Sequence, residues 1–226
     1  MRTSKDPGKS RVSQETNQID TDLTPDIAYA DEHLIVVNKP TGLLSVPGRT
    51  PDKQDCLFTR LRQAYDTLYV VHRLDRDTSG AMLFARNCET QSAFGRMFQQ
   101  GEVAKEYCAW VEGSVSTSSG TLNAPIGRVP GAKLPPRYCI DHNTGRSAQT
   151  AWSVVATDHH RTRLSLKPVT GRSHQLRVHC QHMGHPIVGD PIYGMPDFRM
   201  FLHAKRLDFV HPASGDMLSV EVPVPF

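Results

Sequence analysis

Leu-Tyr-Val-Val-His-Arg-Leu-Asp-Arg-Asp-Thr-Ser-Gly, Leu68 to Gly80, runs directly into Ala-Met-Leu-Phe-Ala, Ala81 to Ala85. Leu68, Val70 and Val71 give the first part the composition of a buried strand. It delivers His72, Arg73, Asp75, Arg76 and Asp77 into a segment closed by Thr78, Ser79 and Gly80, after which a strand resumes. Charge placed between two buried strands must be paired or neutralised, so as pure structure the interruption is unfavourable. Chemistry would give it a reason.

Upstream, His33–Asn38 reads as a strand ended by Lys39-Pro40-Thr41-Gly42, because proline cannot continue a central strand and glycine permits a turn with positive φ. An apolar loop, Leu43 to Gly48, follows. Leu57, Phe58, Leu61, Ala64 and Tyr65 then recur at helical spacing, which predicts a helix over about 53–65 with Arg60 and Arg62 in solvent. Residues 1–24 are polar and predict a flexible tail, with the globular part starting near Pro25.

Downstream, Asn87 is placed to cap a helix and Gly101 to end it, with Phe94, Met97 and Phe98 on its buried face. Ala104–Val111 alternates as a strand, Tyr107 sharing a face with Ala109. Residues 114–147 are rich in glycine and proline and predict a long mobile arm. Ala148–Ala156 and Thr162–Lys167 predict a strand pair joined at Asp158-His159-His160. A helix over 173–183 with Leu176, Cys180 and Met183 inward comes next, and a last strand lies near Met217–Val222. Helices and strands do not alternate regularly, so the fold class is α+β.

Composition narrows the function. The chain has 226 residues, 38% hydrophobic and 22% charged, with no apolar run long enough to span a membrane. Five single cysteines without a C-x-x-C pair predict reduced thiols in the cytoplasm. The net charge is only +3, yet residues 128–177 hold nine Lys or Arg and two acids. That local excess fits either a polyanion site or a solvated basic face.

Several chemistries compete for the charged stretch. Asp75-Arg76-Asp77-Thr78 resembles an aspartyl-phosphate pattern, but that reaction needs further magnesium-holding acids, and Asp190 is the only downstream candidate in a turn. His174, His179 and His182 lack the i, i+4 pairing of a helical metal site, so no metal is expected. Ser79 lacks a G-x-S-x-G elbow. What remains is one carboxylate, Asp75, flanked by Arg73 and Arg76, able to act as nucleophile or base if an arginine from elsewhere keeps it ionised. A structural ion pair is the rival. The residues alone lead to a nucleic-acid-directed protein with an Asp-centred site.

His72 to Gly80 resembles the H-R-L-D-x-x-T-S-G signature of the RluA family of pseudouridine synthases. Asn38–Gly48, Lys167–His179, Gly184–Asp190 and Leu202–Ala204 resemble further blocks of that family, in order. The resemblance covers about 27–226. It implies a pseudouridine synthase fold over 25–226 with a central, mostly antiparallel mixed sheet, no S4 domain and no cofactor. It implies Asp75 as the catalytic aspartate, Arg177 as its partner and Tyr107 as the residue stacked on uracil. Arg73 would fill the gap left by a flipped nucleotide, and Arg172, His174 and Leu176 would bind substrate. The uracil would be detached at N1, turned and rejoined to C1′ through C5. The compact length and the Leu-Leu-Ser-Val-Pro-Gly block resemble the dual-specificity branch, which acts on a tRNA anticodon stem-loop and a hairpin of large-subunit rRNA. A monomer is expected, in which loss of Arg177 harms turnover far more than stability. A non-catalytic RNA-binding or chaperone protein on the same scaffold is the alternative.

Overall fold

The computed structural model describes residues 25–132 and 135–226. The tail expected over 1–24 lies outside them. In chain order the elements are β1 (Asp26–Ala30), β2 (Leu34–Lys39), α1 (Leu57–Leu61), β3 (Tyr69–Val70), β4 (Ser79–Ala85) and α2 (Cys88–Gln100). Then come β5 (Ala104–Glu112), β6 (Ser119–Asn123), β7 (Ile126–Arg128), β8 (Tyr138–Ile140), β9 (Gln149–Thr157) and β10 (Arg161–Pro168). The chain closes with α3 (Gln175–His182), β11 (Leu202–Val210) and β12 (Met217–Glu221).

One ten-stranded sheet runs β1-β2-β4-β11-β5-β10-β9-β6, with β3 added to β4 and β12 to β11. Its pairings are antiparallel except β11 with β4, so the expected mixed, mostly antiparallel sheet is present. That parallel contact is only two residues long, His203 opposite Ser79 and Ala204 opposite Gly80. Gly80 makes it possible: its φ is +113°, and a Cβ there would lie 2.2 Å from the Ala204 carbonyl oxygen. β2 and β4 are buried on both faces, which is why their sequences are almost continuously apolar. Leu34, Val36 and Leu83 pack with Phe94 of α2, while Ile35, Val37 and Phe84 pack with Leu57 and Leu61 of α1. A third cluster joins Ala109, Val111, Leu164 and Leu166 to Leu176 and Cys180 of α3.

The cap and stop of α2 are as the sequence predicts. Asn87 Oδ1 accepts from the Thr90 N–H at 2.8 Å, and Gly101 ends the helix with φ +78°. Other expectations change. The helix predicted over 53–65 is a 3-10 turn at Pro51–Lys53 followed by the short α1, because Cys56 caps Thr59 and starts the helix late. Arg60 is held by Asp55 at 2.7 Å rather than left free in solvent. The strand predicted from Leu68 is only two residues long. His72 Nε2 accepts the Leu83 N–H at 2.9 Å, so a side chain takes over where the strand ladder stops. The arm predicted over 114–147 is largely built: β6 joins the main sheet, and β7 and β8 form their own hairpin. Met183 is only half-buried and outside the cluster that Leu176 and Cys180 enter.

Candidate active site

The loop between β3 and β4 carries Asp75, and the opening block of the sequence holds that loop from below. Lys39 is fully buried at the end of β2, and its ammonium donates to the carbonyls of Pro40 (2.9 Å), Leu43 (2.7 Å) and Arg76 (2.9 Å). Burial pushes its pKa down to about 7, against the charges of Asp77 and Asp75. Thr41 donates to the Asp77 carbonyl at 2.7 Å, and Ser45 both donates to the Leu74 carbonyl and accepts the Leu74 N–H. Backbone on both sides of Asp75 is thereby fixed.

From across the sheet, α3 brings Arg177. Its Nη1 donates to Asp75 Oδ2 at 3.0 Å, and its Nε and Nη2 grip Asp190 Oδ2 and Oδ1 at 2.7 Å each. The guanidinium also lies over the Tyr193 ring, 5.1 Å from its centroid. Burial works against the arginine's charge, but the bonds to Asp190 and the nearby carboxylates more than offset it and raise its pKa. Burial likewise works against the Asp190 charge. Arg177 and the N–H groups of Ile192 and Tyr193 overcome that and lower its pKa. The expected partnership of Arg177 with Asp75 is therefore present, but the main partner of Arg177 is Asp190.

A cleft of about 900 Å³ opens above this pair. All seven residues singled out from the sequence line it: Arg73, Asp75, Tyr107, Arg172, His174, Leu176 and Arg177. Tyr107, on β5, packs between the two apolar clusters under α1 and α3, and burial followed by the Asp75 charge raises its pKa. Arg172 donates from Nε to the Ser147 carbonyl at 2.9 Å, and Arg146 lines the cleft beside it. Burial, then the charge of Arg146, lowers the Arg172 pKa, so this wall holds two cations that repel. Gln175 fixes the loop before α3 through Thr170, the Arg172 N–H, Gln149 and Thr150.

From the sequence Asp190 is a magnesium candidate and the last residue of the 184–190 block, Lys39 a turn residue of the 38–48 block, and neither they nor Tyr193 carry a role at the site. Asp190 carries one visible signal, being the first acid after Asp158 in a basic stretch. Two histidines of this region are held by hydrogen bonds. His179 bonds Thr150 Oγ1 and the Ala124 carbonyl, and His185 bonds the Glu112 carbonyl.

A family model described as RNA pseudouridylate synthase matches residues 33–182. The dual-specificity RNA pseudouridine synthase RluA of Vibrio vulnificus is 43% identical over 216 residues, covering 91% of this chain and 86% of its own length. The protein of the same description from Escherichia coli K12 is 41% identical over 207 residues, 88% of this chain and 93% of its own. Among solved structures, human RNA pseudouridylate synthase domain containing 1 superposes with a TM-score of 0.75 at 32% identity, covering 90% of this chain and 84% of that one. With more than half its length matched by the family model and relatives above 40% identity, the chain belongs to the RNA pseudouridylate synthase family and isomerises uridine to pseudouridine in RNA.

Proposed function

We propose that Asp75 is the catalytic carboxylate of this enzyme and that residues 25–226 are its catalytic domain. One observation carries the reading: Asp75 stands at the floor of the cleft, one oxygen held by a buried arginine that a second, fully buried carboxylate anchors. Such a carboxylate is paired with a fixed cation, oriented and partly open to the cleft, as attack on C1′ or proton removal from the ribose requires. Isomerisation exchanges a C–N bond for a C–C bond without net oxidation, so a carboxylate suffices for it. Tyr107 provides the face on which uracil stacks, and Arg177 keeps Asp75 charged. Arg73 takes the place of the extruded nucleotide, and Arg172, His174 and Leu176 receive the nucleotide and its phosphates. The substrate is a hairpin loop, with the tRNA anticodon stem-loop and a large-subunit rRNA hairpin as the targets. The dual specificity of the RluA relatives supports this. The enzyme works as a monomer in the cytoplasm, a setting that suits five free thiols.

The test is tritium release from RNA labelled at uracil C5, with tRNA and large-subunit rRNA transcripts assayed separately. The wild type releases tritium from both. Asp75→Asn binds RNA within a few-fold of wild type and loses at least ~10³ of the rate. Release from one RNA narrows the target. Undiminished release in the Asn variant ends the assignment of Asp75. Tight binding without release from either RNA would favour a binding protein on this scaffold.

A further inference from the structure

His174 is the one described non-glycine residue with positive φ, at 55°, and its side chain makes no cap for the helix it precedes. A left-handed backbone is unfavourable at a residue with a Cβ, and such strain concentrates at functional sites. The side chain is 11% exposed and lines the cleft. Its Nδ1 lies 2.8 Å from Tyr193 Oη, while Tyr193 Oη accepts the Tyr138 backbone N–H at 2.9 Å. A backbone N–H only donates, so the tyrosine oxygen is the acceptor there. Among the described residues Nδ1 is the one acceptor within reach of the tyrosine's own proton. With Nδ1 accepting that proton, the ring proton sits on Nε2. Nε2 lies 3.9 Å from Asp75 Oδ2, beyond hydrogen-bond length, so the carboxylate does not take its proton.

We propose that the Tyr138–Tyr193 relay holds His174 as the neutral Nε2–H tautomer, presenting a fixed donor to a carbonyl oxygen of the uracil in front of Asp75. This deepens the reading of the site given above and rests on it. When the N1–C1′ bond breaks, its electron pair stays on the uracil and spreads to the ring oxygens. A preorganised N–H at that place stabilises the charge without giving up its proton. The groups facing the imidazole are Asp75, Arg177, Asp190, Tyr138 and Tyr193. Burial leads in lowering its pKa, against the pull of Asp75 and Asp190, which keeps the ring neutral at neutral pH. The donor is thus set from the β7–β8 hairpin, through the backbone of Tyr138.

The first test needs no RNA: nitrogen-15 NMR of the full chain with labelled histidine, the His174 signals assigned by their loss in His174→Gln. At neutral pH His174 shows a protonated Nε2 and an unprotonated Nδ1, and Tyr193→Phe mixes the tautomers. A protonated Nδ1, an imidazolium, or a tautomer unmoved by Tyr193→Phe overturns the relay. The second test compares single-turnover rates with saturating RNA for His174→Gln and His174→Leu, which carry the same backbone strain. Glutamine, whose amide N–H reaches the Nε2 position, keeps the rate within ~10-fold of wild type, and leucine loses ~100-fold with affinity nearly unchanged. Equal rates in the two variants overturn the donor role. The NMR result does not depend on the catalytic role of Asp75, so failure of this inference and failure of the Asp75 assignment are separable.

Discussion

Arg177 shows how one side chain serves the reacting group and the fold together. Read from its motif, it is a partner for Asp75 whose loss harms turnover far more than stability. In the fold its fork is filled by Asp190, which is fully buried and takes two charge-assisted bonds from it. Removing the arginine leaves that carboxylate buried and unpaired, a loss of about 3–5 kcal/mol. Arg177→Met therefore unfolds at markedly lower urea concentration than wild type, besides losing activity. The stability half of the sequence expectation is thus revised. Equal urea midpoints for Arg177→Met and wild type would mean that Asp190 finds another partner or a proton.

At the scale of elements, the β3–β4 hairpin depends on an imidazole. His72 Nε2 stands in for a strand carbonyl by accepting the Leu83 N–H, and its ring lies 4.9 Å from that of Phe98. Burial, then the charge of Lys105, pushes its pKa down to about 3, below the 6.5 of a free histidine. Between those values the unfolded chain binds more protons than the folded one. Stability contributed by neutral His72 is complete above about pH 6.5 and is lost as pH falls towards 3, about 2 kcal/mol by pH 5. His72→Gln keeps an acceptor that does not titrate, so urea unfolding at about pH 5 and pH 7.5 should differ less than in wild type. His72→Leu leaves the Leu83 N–H without a partner and is destabilised by about 1–3 kcal/mol at pH 7.5, and by less at pH 5, where wild type has already lost what neutral His72 contributes. An unchanged pH dependence in the glutamine variant would place the acid sensitivity elsewhere.

For the whole molecule, the sheet brings Asp75 and Arg177 together across 102 residues of sequence and sorts the basic third quarter into separate roles. Arg161 pairs with Glu112 and Asp197, Arg163 turns to Cys108, and Arg177 serves the two aspartates. Arg146 and Arg172 are left side by side on the cleft wall. Two cations of the basic stretch thus face the cleft together, where an RNA backbone can reach them. Replacing both by alanine should weaken RNA binding uniformly and flatten the slope of log K against log salt by about 1.4, two phosphate contacts at about 0.7 each for a single-stranded loop. An unaltered slope in a potassium chloride series would put the phosphates on another surface.

The sequence alone determined what is local or carried by long motifs: the α2 cap at Asn87 and stop at Gly101, the doubly buried β2 and β4, the β9–β10 pair, and the set of seven residues that line the cleft. These follow from nearest neighbours in the chain and from hydrophobic period, both of which a sequence displays. Tertiary structure decided everything that depends on who sits opposite. That Lys39 is buried under the Asp75 loop rests on three carbonyls from two separate turns. That Asp190 rather than Asp75 is the main anchor of Arg177, and that β3 stops where His72 begins, rest on distant segments meeting. So does the proton on His174, which depends on a tyrosine 19 residues away and on a backbone N–H from the hairpin beyond it. Hydrogen-bond direction and burial belong to pairs of groups, and the sequence gives only one member at a time.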